Sequence, residues 1–404
     1  MLRNSLIILI ILLLWMSSCS EPEQKHQISN QIQKEVVCSI SWKGPFLQYK
    51  FRQEKQWIDT TVEKLWNEKA INGVLLVAEK EGVIFKKSYG RARYNSKEEI
   101  KVDDKFQLAS VSKIITATAV LQLCEKGKLK LDDKVKKYIP ELPYDNITIR
   151  QLLQHTSGLP NYIYLAENFW DKQNKLSMRD VALIFGNLGL SLDFTPGYRH
   201  KYCNTNYVLL AFIIERSSGM SYAAYLEKNI FSPSGMKNTL VVSRRDTSKL
   251  KVHGHMPLGK GYVEKPLDYL DDVAGDKGIY TTAEDMFLFD RSLFAGKLIS
   301  KPMMNIAFTT FENPARFRKC NYGLGFRVRE KKNGQKVIYH FGWWKGFKTY
   351  YMHDLETGKC VVSLNNRKNI KLGGLVYDLL TWPKLEREKK EAEDDANNDK
   401  EGSP

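Results

Sequence analysis

Apolar residues in this chain follow two spacings. Gly73-Val-Leu-Leu-Val-Ala78 and Gly82-Val-Ile-Phe85 are short apolar runs on either side of a polar turn, a pattern that predicts two paired strands. Strand-like runs return late, around His340, Thr349 and Val361. Between these ends the period lengthens. Ile114-Ile-Thr-Ala-Thr-Ala-Val-Leu-Gln-Leu-Cys124 repeats its apolar positions at helical spacing and contains neither Gly nor Pro, so a buried helix is expected there. Tyr207-Val-Leu-Leu-Ala-Phe-Ile-Ile214, closed by Ser217-Ser-Gly219, predicts another, and further helices are expected near Trp57 to Asn67 and from Leu372 to Leu380.

The two termini depart from this alternation. Met1-Leu-Arg-Asn4 gives a positive start, Leu6 to Trp15 is apolar, and Met16-Ser-Ser-Cys19 sets small residues directly before a cysteine. The apolar run is about half of the ~20 residues a spanning helix needs. Residues 1–19 therefore resemble a bacterial lipoprotein signal with lipid on Cys19; an ordinary secretory signal is the alternative, and both export the rest. Residues 20–50 form a polar lead that can serve as a tether. Lys384 to Pro404 is a dense charge run without core-forming residues, the composition of a disordered tail.

Composition narrows the partners. The 404 residues are 43% hydrophobic, enough for a substantial core, and length alone allows two or three domains. A net charge of +16 invites a nucleic-acid reading, but the Lys and Arg are spread along the chain and no nucleic-acid-binding motif is present. Anionic envelope polymers or lipid headgroups fit that charge better. Setting Cys19 aside leaves Cys38, Cys124, Cys203, Cys320 and Cys360, an odd number, so at least one thiol stays unpaired within the chain. Cys124 and Cys203 read as buried small residues, and an exported compartment permits a Cys320–Cys360 pair without requiring it. His253-Gly-His255 lacks the further ligands of a zinc site, so no metal and no cofactor is expected.

Candidate chemistry lies in three short segments. Ser110-Val-Ser-Lys113 opens the buried helix, where residues three apart share a face and Lys113 stands beside the Ser110 hydroxyl among apolar side chains. Burial lowers a lysine pKa, and a neutral amine can take the proton of a serine nucleophile. Ser-x-x-Lys arises by chance about once or twice in a chain of this length; a serine cap with a snorkelling lysine is the plainer reading. Ser234/Lys237 and Ser248/Lys251 match the spacing without a following helix and are expected at the surface. Tyr202-Cys-Asn204 lies between the turn Thr195-Pro-Gly-Tyr198 and the next helix. There a phenol can relay a proton and an amide can orient a carbonyl, or Asn204 or Thr205 simply caps the helix. His340-Phe-Gly342 ends a strand; His340 can hold substrate or tune the Tyr202 proton, or be a satisfied structural histidine, and glycine in a strand often marks close approach.

Seven blocks in order carry a resemblance. Phe106-Gln-Leu-Ala-Ser-Val-Ser-Lys113, Leu152-Leu-Gln-His-Thr-Ser-Gly-Leu-Pro160, Pro196-Gly197, Tyr202-Cys-Asn204, Gly278-Ile-Tyr-Thr-Thr-Ala-Glu-Asp285, Tyr322-Gly-Leu-Gly-Phe326 and His340-Phe-Gly342 resemble the serine beta-lactamase and penicillin-binding-protein superfamily, in its class-C-like branch. The likeness runs from about Val74 to Asn366. It implies an α+β fold in one discontinuous unit, residues 51–383. An antiparallel sheet flanked by helices would face a mostly helical part, about 110–295, across a cleft that holds the site. It also implies Ser110 as acylated nucleophile, Lys113 as its base partner, Tyr202 as proton shuttle, Asn204, His340 and Gly342 in substrate binding, and an oxyanion hole from the N–H groups of Ser110 and Trp343.

One departure bears on substrate. Beta-lactamases of this branch carry Lys-Thr-Gly or Lys-Ser-Gly where this chain has His340-Phe-Gly342, and Phe341 has no side-chain hydrogen bond to give a carboxylate. The form resembles that of D-alanyl-D-alanine carboxypeptidases, D-amino-acid peptidases and related esterases. Trp343 and Trp344 beside it point to an apolar wall near the acyl site, or to core. The expectation is an exported, lipid-anchored serine hydrolase of the bacterial cell envelope. Its substrate would be a small molecule or peptide, with a cell-wall D-amino-acid peptide or an ester favoured. A class-C-like beta-lactamase and a non-catalytic envelope binding protein are the alternatives.

Overall fold

The computed structural model describes residues 45–67, 71–80, 82–243, 250–313, 318–330, 334–368 and 372–381. Backbone contacts separate residues 1–49, described only from 45 onward, from residues 50–404, which hold the sheet, its helices and the site. The stretch read as a signal, with Cys19, most of the stretch read as a lead, Cys38, Ser248 and the charged C-terminal run lie outside the described residues.

Both ends of the chain build one six-stranded antiparallel sheet. Strands β1 (Gly73–Glu79) and β2 (Gly82–Tyr89) form the expected hairpin. Strands β3 (Arg327–Glu330), β4 (Lys336–Trp344), β5 (Phe347–Asp354) and β6 (Cys360–Asn365) form a meander, and β6 closes on β1 to give the order β3-β4-β5-β6-β1-β2. Helices α1 (Pro45–Asn67), α2 (Ser112–Glu125), α3 (Asn204–Ser218), α4 (Ala283–Phe294) and α5 (Leu372–Thr381) pack around it.

The two faces of the sheet bury different cores. On the outer face Leu75, Val77, Tyr350, Met352 and Val361 meet Ile58 and Val62 of α1 and Val376, Leu379 and Leu380 of α5. On the inner face Val74, Leu76, Ile338, Tyr351, Val362 and Leu364 join the larger core with α2, α3 and α4. Central β1, buried on both sides, therefore reads as an apolar run through Ala78, while β6, equally buried, carries Ser363 and Asn365, which bond to each other. Helix α2 is buried from Ser112 through Leu123, so its polar side chains need internal partners. Thr116 donates to Gly275 O at 2.7 Å and lies 2.7 Å from Tyr222 Oη, while Gln122 reaches the carbonyls of Asn229 and Leu298.

Several local expectations change. Helix α1 starts at Pro45, inside the stretch read as a polar lead; proline suits the first helical position, and neither Gly nor Pro interrupts the helix after it. Within the mostly helical part, strands of two to four residues occur at Phe106–Gln107, Leu240–Val241, Ile279–Thr281, His255–Leu258 and Gly261–Glu264, too short to show a period in sequence. Ser234 is buried rather than at the surface. Cys203 is buried but Cys124 is only partly so, and Cys320 and Cys360 are both free thiols. Among the described residues, no three His, Cys, Asp or Glu are grouped to hold a metal ion.

Strand β4 reaches the nucleophile turn through a glycine. A Cβ at Gly342 would overlap Leu108 O and Thr349 Oγ1 and press on the Ala109 methyl. The carbonyl and the hydroxyl it would strike are already bonded to each other at 2.7 Å, so neither can retreat freely. Gly342→Ala is expected to cost roughly 1–3 kcal/mol of folding stability by overpacking, read as a lowered denaturation midpoint. An unchanged midpoint would mean that the strand shifts without penalty.

Candidate active site

Ser110 sits on the 3-10 turn Ala109–Val111, which runs directly into α2. Ala109 holds φ 48, a conformation costing a non-glycine residue about 1–2 kcal/mol. The turn is fastened from both sides: Leu108 N–H donates to Ile279 O at 2.8 Å, and Leu108 O accepts from Thr349. Such fastening keeps a strained turn in place.

Lys113 is fully buried one turn further on. Its Nζ lies 3.1 Å from Ser110 Oγ, 2.9 Å from Asn204 Oδ1 and 2.8 Å from the Asp276 main-chain oxygen. Its surroundings are thus oxygens, with the rings of Tyr202 and Tyr207 at 5.1 and 5.6 Å, rather than the apolar shell expected from sequence. Two of the three partners can only accept. In the neutral amine these two take both hydrogens, and the lone pair is left facing the Ser110 hydroxyl. Burial lowers the Lys113 pKa to about 8, against the opposing pull of Asp276. The arrangement can therefore move the Ser110 proton onto nitrogen.

Asn204 begins α3 but does not cap it, since its amide oxygen accepts from Lys113 and no side chain caps this helix. Thr205 Oγ1 instead accepts from Tyr162 N–H at 2.7 Å and donates to Pro160 O at 2.6 Å, tying down the loop. Tyr202, two residues before Asn204, is half-buried with its hydroxyl inside, and burial raises its pKa, with the Ser110 hydroxyl and the Arg327 charge pulling the other way. Its hydroxyl is near Ser110 yet makes no hydrogen bond of ordinary geometry, which leaves it available to a group bound there.

The strand motif behaves differently from its expected role. His340 is buried, and its two nitrogens are taken by Tyr322 Oη at 3.1 Å and Phe341 O at 2.9 Å, so no ring atom remains for substrate. Its ring centroid is 6.3 Å from that of Tyr202, and it touches the phenol of Tyr322 instead. Strand alternation puts Phe341 and Trp343 on the outer face, opposite Gly342. Phe341 packs on Tyr339 and Tyr350, and the Trp343 ring, 54% exposed, lies under Lys368 Nζ at 4.6 Å. Trp343 thus offers the cleft its main chain but no wall. Trp344 faces inward, with Nε1 donating to Asp271 at 2.7 Å.

Other groups at this site have no individual signal in the sequence. The Asp276 carbonyl is a main-chain group. His155 and Tyr322 stand inside ordered blocks but carry nothing that marks them alone. Arg327 is one of 62 basic residues, and only folding sets its guanidinium 5.5 Å from the Tyr202 ring centroid and 5.4 Å from that of Tyr322. Among the described residues no carboxylate pairs with it.

Comparison with known proteins identifies the family. The family model described as Beta-lactamase matches residues 58–374. The chain belongs to the beta-lactamase family. It is 33% identical over 332 residues to Penicillin-binding protein 4* of Bacillus subtilis (strain 168), covering 78% of this chain and 73% of that protein. A putative penicillin-binding protein of the same organism is 28% identical, covering 89% and 88%. Among solved structures, a penicillin-binding protein from Bacillus halodurans superposes with TM-score 0.68 at 25% identity, over 79% of this chain and 96% of that one. A D-amino acid amidase from Ochrobactrum anthropi shares the fold, with TM-score 0.67 at 22% identity over 85% and 99%. This beta-lactamase-family chain is a serine hydrolase of the transpeptidase and beta-lactamase type, with the α+β fold the sequence implied.

Because Lys113 accepts a proton only when neutral, acylation is expected to quicken with pH through about 8, close to tenfold per unit below that value, and to level off above it. Single-turnover rates from pH 6 to 10 check this. A flat profile across pH 7 to 9 would remove Lys113 as the base.

Proposed function

We propose that this chain is an exported, lipid-anchored serine hydrolase that cleaves a peptide bond beside a D-amino acid, in the manner of a D-alanyl-D-alanine carboxypeptidase. The observation that carries the reading is the aim of Lys113 at Ser110 from between two obligate acceptors. Ser110 Oγ attacks the carbonyl carbon as its proton passes to Lys113 Nζ. The main-chain N–H groups of Ser110 and Trp343 hold the resulting oxyanion, a role worth about 3–4 kcal/mol per donor in hydrolases of this kind. Collapse expels the amine, which takes its proton through Tyr202, and water then releases the acyl group from Ser110.

The substrate class rests on charge. None of the three motif side chains can meet a carboxylate, since His340 is spent, Phe341 faces outward and Gly342 has none. Arg327, with no carboxylate partner among the described residues and its guanidinium 5.5 Å from the Tyr202 ring centroid, is the cation this reading assigns to it. The same observations weigh against a class-C-like beta-lactamase, whose Lys and hydroxyl are missing. Relatives named as penicillin-binding proteins support the peptidase reading further.

Arg327→Ala is expected to cut kcat/KM on an acyl-D-alanyl-D-alanine peptide roughly 10- to 100-fold, as for a lost charge-assisted hydrogen bond, while barely affecting the matching D-alanine methyl ester. Ser110→Ala should abolish both. Equal losses on both substrates would move the reading to an esterase. For the anchor, Cys19→Ala should shift the protein from the membrane to the soluble fraction; a variant that stays bound argues against lipid on Cys19.

A further inference from the structure

Beneath the site runs a chain of hydrogen bonds whose direction is set by its ends. The Cys203 main-chain N–H lies 3.2 Å from His155 Nδ1, and Asn206 Nδ2 lies 3.3 Å from the same atom. Asn206 Oδ1 accepts from Ser157 Oγ at 2.7 Å, which turns its NH2 toward the ring. Both neighbours of Nδ1 are donors, so the His155 proton sits on Nε2, 3.3 Å from Tyr322 Oη. At the other end His340 Nδ1 is 2.9 Å from Phe341 O, and a carbonyl only accepts. The His340 proton is therefore on Nδ1, and Nε2 accepts from Tyr322 Oη at 3.1 Å. Tyr322 receives from one imidazole and gives to the other.

Every link points the same way, from the loop that carries Tyr202 and Asn204 to the strand that carries Gly342. His155, Tyr322 and His340 are all buried, and His155 holds φ 56, a second strained non-glycine residue at this site. Burial, helped by the Lys113 and Arg327 charges, holds both imidazoles well below their ordinary pKa, so neither gains the second proton that would confuse the direction.

We propose that His155 and Tyr322 are positioning residues: their one-way chain fixes the Tyr202–Asn204 loop against strand β4 and so sets the width of the cleft at Ser110. The proposal rests on Ser110 as nucleophile, since the distance it fixes is that between the proton carriers and the bound acyl group. The loop belongs to the start of α3 and the strand to the sheet, and the chain joins them under the reacting atoms. Misplacement near 1 Å there costs on the order of 100-fold in rate.

Two measurements test this. In 15N-histidine NMR spectra of the wild-type protein, His155 is expected as the Nε2–H tautomer and His340 as the Nδ1–H tautomer; the opposite tautomer at either ring overturns the chain, and no variant is needed to see it. Tyr322→Phe keeps the ring and removes the middle link. It should lower kcat roughly 10- to 100-fold with KM nearly unchanged, while both histidines keep their tautomers, which the Cys203 N–H, Asn206 and the Phe341 carbonyl set at the two ends. A variant that keeps wild-type kcat overturns the positioning role even where the tautomers agree. If the wild-type protein cleaves neither ester nor D-peptide, the hydrolase reading fails, and with it the positioning role, while the spectra still decide the hydrogen-bond chain itself.

Discussion

A fully buried lysine constrains everything near Ser110. An ammonium or amine at that depth must have its hydrogens met, because an unmet buried polar group costs about 1–3 kcal/mol and a charged one more. Lys113 meets them with groups from three separate parts of the chain: the turn before α2, the first residue of α3, and the 275–276 segment. Each has its own anchor. Thr349 holds the Leu108 carbonyl, Thr205 holds Pro160 and Tyr162, and Thr116 holds the Gly275 carbonyl from inside α2. Three threonine hydroxyls thus fasten the backbone that surrounds one amine.

The sheet enters through β4, whose two faces do separate work. The inward side presents His340 to Tyr322 and brings Gly342 against the nucleophile turn. The outward side stacks Tyr339, Phe341 and Tyr350 and leaves Trp343 partly in solvent. A strand with a side chain at Gly342 could not come so close to Ala109, and one without His340 would lose its bond to Tyr322 and, through it, the link to His155 in the helical part. What β4 can offer a substrate is therefore main chain, so any charge recognition has to come from elsewhere. In the proposed reading that cation is Arg327 on β3, the neighbouring strand.

The legible part of the fold is where periodicity runs long. The hairpin at Gly73 and Gly82, the later strands and the α2 and α3 helices all follow from apolar spacing, and Ser110 with Lys113 follows from helical spacing plus burial. Strands of two to four residues carry too few positions to show a period, which is why the small sheet around Ile279–Thr281 does not appear in the pattern. The fate of side chains is harder still. Nothing local in Lys-Val-Ile-Tyr-His says whether His340 faces the cleft or the core; that depends on Tyr322, eighteen positions earlier. The apolar wall expected from Trp343 fails for a related reason, because one step along a strand exchanges faces.

Charge at the site follows from the same packing. Lys113 and Arg327 both flank the Tyr202 ring, and each works against protonation of His155 and His340. Two buried imidazoles kept neutral add no positive charge beneath the nucleophile, so the field that a developing oxyanion meets comes from the main-chain dipoles, from the Arg327 guanidinium beside Tyr202, and from Lys113 once it holds the Ser110 proton. A charged His340 would favour the oxyanion, but it would also oppose the same proton transfer by raising the local potential at Lys113. Neutral imidazoles leave the Lys113 pKa near 8, where a base at neutral pH is neither fully blocked by its own proton nor too weak to accept one. The hydrogen-bond chain and the basicity of Lys113 therefore depend on one condition, a protonation state set by burial.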